Sequence, residues 1–137
     1  MATLFAKIKI FSGKEAAFED VCRQLHAETM TEPGCQLYAY WRSQEERTYY
    51  CLLVFNSYAD FLIHQVSDHH EKLITPRSAE LFEDFSTEWL DPVSGAGLGP
   101  ATEHQPAKPE DSDGKKTYAK MMPAIVADWW QVLRNAA

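Results

Sequence analysis

Residues 35–55 read CQLYAYWRSQEERTYYCLLVF, and this stretch decides the architecture. Two extended runs, Cys35 to Arg42 and Arg47 to Phe55, are rich in aromatic and branched side chains, and Ser43-Gln44-Glu45-Glu46 joins them as a polar connection of hairpin length. They are expected to pair antiparallel. Bulky residues point both ways along them: Leu37, Ala39 and Trp41 to one side, Tyr38 and Tyr40 to the other, with Tyr49 and Tyr50 likewise opposed. A sheet that is apolar on both faces needs a cover on both.

On the N-terminal side, Leu4, Ala6, Ile8 and Ile10 alternate with Phe5, Lys7, Lys9 and Phe11, the pattern of a first strand. Ser12-Gly13-Lys14-Glu15 then reads as a capping box for a helix carrying Phe18, Val21, Cys22, Leu25 and Thr29, and Glu32-Pro33-Gly34 stops it. On the C-terminal side, Ser57 with Asp60 opens a second helix whose apolar contacts are Phe61 and Leu62. Asp68 and Glu71 form another box, so a break is expected near Ser67 with a fresh helix from His69, and Pro76 bends or restarts it. Phe85, Thr87 and Trp89 alternate as a last strand before Asp91-Pro92.

The order strand, helix, strand, strand, helix, strand is the split arrangement of an α+β, ferredoxin-like βαββαβ sheet. Its two helices can cover only one face. A second copy stacked on the aromatic face is the simplest cover for the other, so a homodimer is expected.

Past Val93 the chain changes character. Residues 94–114 are dense in Gly and Pro and read as a flexible linker. In residues 115–137, Tyr118, Met121, Met122, Ile125, Val126, Trp129, Trp130 and Leu133 recur at helical spacing, with the ordered helix expected to begin at Pro123 and residues 117–121 extended before it. Three parts follow: a ferredoxin-like domain over 1–93, the linker, and a C-terminal amphipathic helical segment that docks on its own or a partner subunit or places Trp129 and Trp130 over a ligand pocket.

Composition narrows the function. The chain has 137 residues, 45% hydrophobic, with a formal charge of −7 that resides in residues 1–92. Disorder throughout is excluded by the apolar content, and nucleic acid is disfavoured as a partner because its phosphates are held by clustered Lys and Arg. No apolar run approaches the ~20 residues that cross a bilayer, and Lys7 and Lys9 interrupt any leader, so a cytoplasmic protein with no membrane partner is expected. Cys22, Cys35 and Cys51 are widely spaced and read as packing residues.

Chemistry concentrates in His64-Gln65-Val66-Ser67-Asp68-His69-His70. On one unbroken helix His64 and His69 stand about 140° apart, poor geometry for a shared metal, and no metal is expected. A neutral histidine is a competent general base for a phenolic proton. The resulting anion can pass an electron to dioxygen directly, so flavin, haem and metal are all dispensable and no cofactor is implied. Such chemistry needs an aromatic-lined cavity, for which Tyr38, Trp41 and Tyr49 on the strands and Phe61 on the second helix are the candidates.

Taken in order, Ser12-Gly13-Lys14-Glu15 with Phe18, Glu32-Pro33-Gly34-Cys35 with Tyr38, and His64 with His69 five residues on resemble the antibiotic biosynthesis monooxygenase (ABM) domain family over residues 1 to about 92. The resemblance implies a dimeric α+β barrel and a cofactor-independent oxygenase of quinols or aromatic polyketide-like phenols. It places His64 and His69 at or near the cavity mouth and Trp41 and Tyr49 within it. Where many relatives carry a strand glutamate, eleven residues before the first histidine, Leu53 stands here. The haem-degrading branch uses a first-strand Asn and a helix Trp, and neither is present.

The expectation is therefore a homodimeric monooxygenase of small quinols or phenols, with His64 or His69 as catalytic base, a small aromatic molecule and dioxygen as partners, and Trp41, Tyr38, Tyr49 and Phe61 binding substrate. Two alternatives stay open: a non-catalytic dimeric module that shelters an aromatic metabolite, and a haem-binding or haem-degrading relative using His64 or His69.

Overall fold

A computed structural model describes residues 1–94 and 101–136. Strands β1 (Ala2–Ile10), β2 (Cys35–Arg42), β3 (Thr48–Phe55) and β4 (Phe82–Trp89) form one antiparallel sheet in the order β2-β3-β1-β4. Between them lie α1 (Glu15–Thr29), α2 (Tyr58–Gln65), α3 (Asp68–Leu73) and α4 (Ser78–Leu81), and after them α5 (Asp113–Met121) and α6 (Asp128–Ala136).

This is the expected α+β ferredoxin-like topology, but the expected dimeric α+β barrel is corrected: the sheet is open. β2 and β4 are its two edges and do not pair with each other. The physical reason is strand number, since closure with a filled interior takes about eight strands and this chain supplies half that.

One face of the sheet is the core. Ala2, Leu4, Ala6, Ile8 and Ile10 of β1 are buried beside Tyr49, Cys51, Leu53 and Phe55 of β3 and Tyr38 of β2. Phe18 of α1 inserts here, edge-on to Tyr40, Tyr49 and Phe82 with ring centroids 4.8 to 5.9 Å away. Under α2, Phe61 meets Phe55, Tyr58 and Trp89. On the opposite face Phe5 stacks on Tyr50 at 5.2 Å, and Trp41 is 51% exposed.

Local chemistry explains the helix positions. The first capping box does not form: Lys14 occupies the N-cap without a side-chain bond, so Glu15 is the first helical residue and the box spacing is lost. Ser57 caps α2 by accepting from Asp60 N, as its spacing suggests. Ser67 likewise caps α3 by accepting from His70 N, and the two helices break at Val66-Ser67. The β2 approach to α2 is tight, because a Cβ on Gly34 would lie 2.3 Å from Asp60 Cγ.

The tail also departs from expectation. Residues 117–121 are helical within α5, which Ser112 caps by accepting from Lys115 N. Pro123 falls between helices instead of opening one, since proline disfavours helical backbone in the residue before it and Met122 leaves the helix at φ −134°. Within the segment read as a linker, residues 95–100 lie outside the described residues. Thr102 is buried, donates to Leu90 O at 2.9 Å and accepts from Thr3 N at 3.2 Å. No helix among the described residues is long and apolar enough to cross a membrane.

Candidate active site

Between the inner face of the sheet and α2, α3 and α5 lies a cavity of about 340 Å³. Its floor is Leu4, Ala6, Ile8, Cys51 and Leu53, its walls include Tyr38, Tyr40, His64 and His70, and its roof is Tyr118, Met121 and Met122. Size and lining suit a small planar ligand.

His64, near the end of α2, is fully buried. Its Nδ1 lies 2.9 Å from Glu32 Oε2, and His69 Nε2 approaches the same oxygen at 2.6 Å. A carboxylate only accepts, so both ring nitrogens donate to it. With Nδ1 committed, the other nitrogen of neutral His64 is an acceptor, and Nε2 has no hydrogen-bond partner although it is enclosed. A buried polar atom without a partner costs roughly 1–3 kcal/mol, the kind of cost met where function needs the group free.

The break at Val66-Ser67 is what brings His64 and His69 together around Glu32. Burial pushes the Glu32 carboxyl up, but the hydrogen bonds donated by His64 and His69, and the positive charge of those rings whenever they are protonated, outweigh it and hold the group below the usual carboxylate range. The three ligand-type atoms lie within 4.8 Å of one another, so a divalent ion could be drawn there. The separations of 2.6 and 2.9 Å are nevertheless those of N–H···O bonds, tighter than the ~3.3 Å between donors of a tetrahedral ion with bonds near 2.0–2.1 Å.

His70 is the second imidazole on the cavity wall, edge-on to His64 with centroids 5.2 Å apart. Burial pulls its pKa down to about 4, the neighbouring His64 adding to this when it carries a proton, against the opposing pull of Glu71. At neutral pH it is uncharged. Its Nδ1 lies 3.3 Å from Glu71 Oε1. Tyr38 and Tyr40 share a hydrogen bond of 2.7 Å between their hydroxyls, and burial raises both phenols well above the ordinary value, so they remain protonated.

The other expected site residues fall elsewhere. His69 shares Glu32 with His64, does not line this cavity, and is partly exposed. Tyr49 packs under Phe18 and donates to Glu19 at 2.6 Å. Trp41 borders a groove at the β2 edge with Glu19, Arg42 and Tyr49. Phe61 is in the core, and it is Tyr38 that lines the cavity. Sequence reasoning missed Glu32, read only as part of a helix stop, and His70, Glu71 and Tyr118. The available signal was charge pairing: an acid in the turn before the hairpin and another directly after the third histidine.

An open ferredoxin-like sheet with a histidine-walled cavity under its second helix defines the class. The model of the family described as antibiotic biosynthesis monooxygenase matches residues 1–75, more than half of the chain, and the chain belongs to that family. It is also similar to solved structures. A Caulobacter crescentus protein is 27% identical with a TM-score of 0.62, over 68% of this chain and 90% of that one. A Shewanella oneidensis protein is 26% identical with a TM-score of 0.61, over 65% and 87%. For a Pseudomonas aeruginosa protein the fold alone is comparable, at 22% identity and a TM-score of 0.63 over 68% and 94%. Among curated proteins none matches this chain.

Proposed function

We propose that this protein is a monooxygenase that converts a small phenol or quinol to a quinone with dioxygen, and that His64 is its general base. The observation that carries the reading is the His64 imidazole: a cavity-wall ring anchored through Nδ1 to Glu32, with its enclosed Nε2 left without a partner.

His64 Nε2 takes the phenolic proton. The phenolate passes one electron to dioxygen, and the ring radical and superoxide join at a ring carbon that bears hydrogen. The imidazolium protonates the peroxide. His64 then removes the ring proton as the O–O bond breaks, the carbon oxygen becomes a carbonyl, and departing hydroxide is protonated to water. One oxygen atom stays in the product and all four electrons come from the substrate, so the balance calls for no cofactor. Glu32 stabilises the imidazolium each time it forms, as a carboxylate behind a catalytic histidine does. Tyr38 and the apolar floor hold the ring and exclude water, which would otherwise compete for the anion.

A second copy across the Phe5, Trp41 and Tyr50 face completes the reading as a homodimer, because a twofold axis makes one aromatic patch its own cover.

The test is dioxygen consumption with 1-naphthol or reduced naphthoquinone, with labelled dioxygen to follow one oxygen atom into product. Consumption that falls about 100- to 10,000-fold in His64→Phe supports the proposal. Binding without consumption would instead indicate a sheltering module. Undiminished turnover in the variant would remove His64 as base.

A further inference from the structure

Helix α5 lies beyond the matched residues 1–75, yet it supplies the roof of the cavity. Its end is bonded to α2 twice: Tyr58 donates to Met122 O at 2.8 Å, and Gln65 Nε2 approaches Met122 Sδ at 3.5 Å. Its middle reaches α3, where the Tyr118 hydroxyl donates to Glu71 Oε1 at 2.6 Å and the Tyr118 ring stands edge-on to His70, centroids 5.9 Å apart.

Glu71 Oε1 is a point of convergence. It accepts from Tyr118 and from Thr75 Oγ1 at 3.1 Å, and His70 Nδ1 lies 3.3 Å away. Because the oxygen can only accept, the hydrogen on neutral His70 belongs on Nδ1 and Nε2 is left as acceptor. Nε2 makes no bond among the described residues. The cavity wall thus carries two imidazoles built alike, His64 backed by Glu32 and His70 backed by Glu71, each with one acceptor nitrogen that no protein donor fills, that of His64 being enclosed. A substrate with one hydroxyl can satisfy one of them. An aromatic with hydroxyls on neighbouring carbons can satisfy both, and leaving a ligand-facing polar group unpaired is a strong source of discrimination.

We propose that Tyr118 is a positioning residue which, through Glu71, holds His70 as a second hydrogen-bond acceptor, so that the site selects aromatics with two adjacent hydroxyls over those with one. The proposal rests on the reading of the cavity as a phenol site, and its test separates the two. Binding of 2,3-dihydroxynaphthalene and of 2-naphthol to the full chain is measured without oxygen, so catalysis plays no part. The expected preference for the diol is at least about tenfold, reduced to near unity in His70→Phe and by about threefold or more in Tyr118→Phe.

Equal binding of the two ligands overturns the selection while leaving the phenol site standing. Binding of neither removes both. A preference that survives His70→Phe overturns the role of His70. Should that variant fail to fold, Tyr118→Phe decides alone: an unchanged preference, with the nitrogen resonances of His70 unmoved, defeats the positioning role, because a merely structural tyrosine would leave both unaltered.

Discussion

Two helices cover the same face of the same sheet, and they leave it in opposite conditions. Under α1 the core is filled: Phe18 touches three aromatic rings, and Glu19 at the rim is bound by Arg42 at 2.9 Å and by Tyr49 at 2.6 Å, although the Thr29 hydroxyl at the end of the helix is also buried without a partner. Under α2 and α3 the space is hollow, and a buried imidazole nitrogen is left without a partner. The fold invests stability in one half and leaves the other half open for a ligand.

That contrast can be broken from either side. The largest effect is expected in the hollow half: His64→Phe lowers oxygenation about 100- to 10,000-fold with only a modest fall in melting temperature, because the lost Nδ1–H bond to Glu32 is partly offset by removal of the orphaned nitrogen, and His69 still donates to the carboxylate. A large fall in melting temperature would show that the two halves are not distinct. In the filled half, Phe18→Ala should cost about 3–5 kcal/mol in denaturant unfolding, with activity retained wherever the protein remains folded. Loss of under 1 kcal/mol would mean that α1 is not the packed side.

His70 sharpens the comparison through pH. Its folded pKa of about 4 lies below the unfolded value near 6.5, so the unfolded chain binds the proton first as pH falls. The stability tied to the neutral ring is therefore fully present above about pH 6.5, is lost progressively as pH drops toward 4, and changes no further below that. The difference amounts to roughly 3 kcal/mol. His70→Phe should flatten the stability profile over that window, and an unaltered slope would contradict the burial of a neutral imidazole. The smallest effect belongs to the rim of the filled half. Arg42, with help from Tyr49, holds the Glu19 carboxyl down to about 2, so its contribution is present above the unfolded value near 4.5 and vanishes as pH falls toward 2. Glu19→Gln should leave stability at pH 7 lower by about 1 kcal/mol or less and remove part of the acid transition.

How much of this was legible in the sequence depended on the range of the interaction. The strand-helix order, the hairpin, the caps at Ser57 and the break at Ser67 are local, and alternation or a side chain reaching three residues on reveals them. Sheet closure is not legible locally, because it is a count of strands and edges, and the resemblance to a family of barrels implies a closure that the four strands present do not make. For the site, His64 was visible as one of a cluster of histidines. Its partner Glu32 was not, since 32 residues separate them and a Glu-Pro-Gly turn has a sufficient reading as a helix stop. Tyr118 was further still: a tyrosine in an amphipathic stripe looks like core until the fold lays it on Glu71.

Gly34 carries one more implication. It is half-buried in a turn and lines no cavity, but the first turn of α2 leans on it so closely that even a methyl group would have to displace Asp60. His64 rides on that same helix, four residues further along its chain from Asp60, so a shove at its start would be delivered to the imidazole as a tilt. In a saturation library scored by turnover, position 34 would masquerade as part of the reactive machinery while never meeting a substrate.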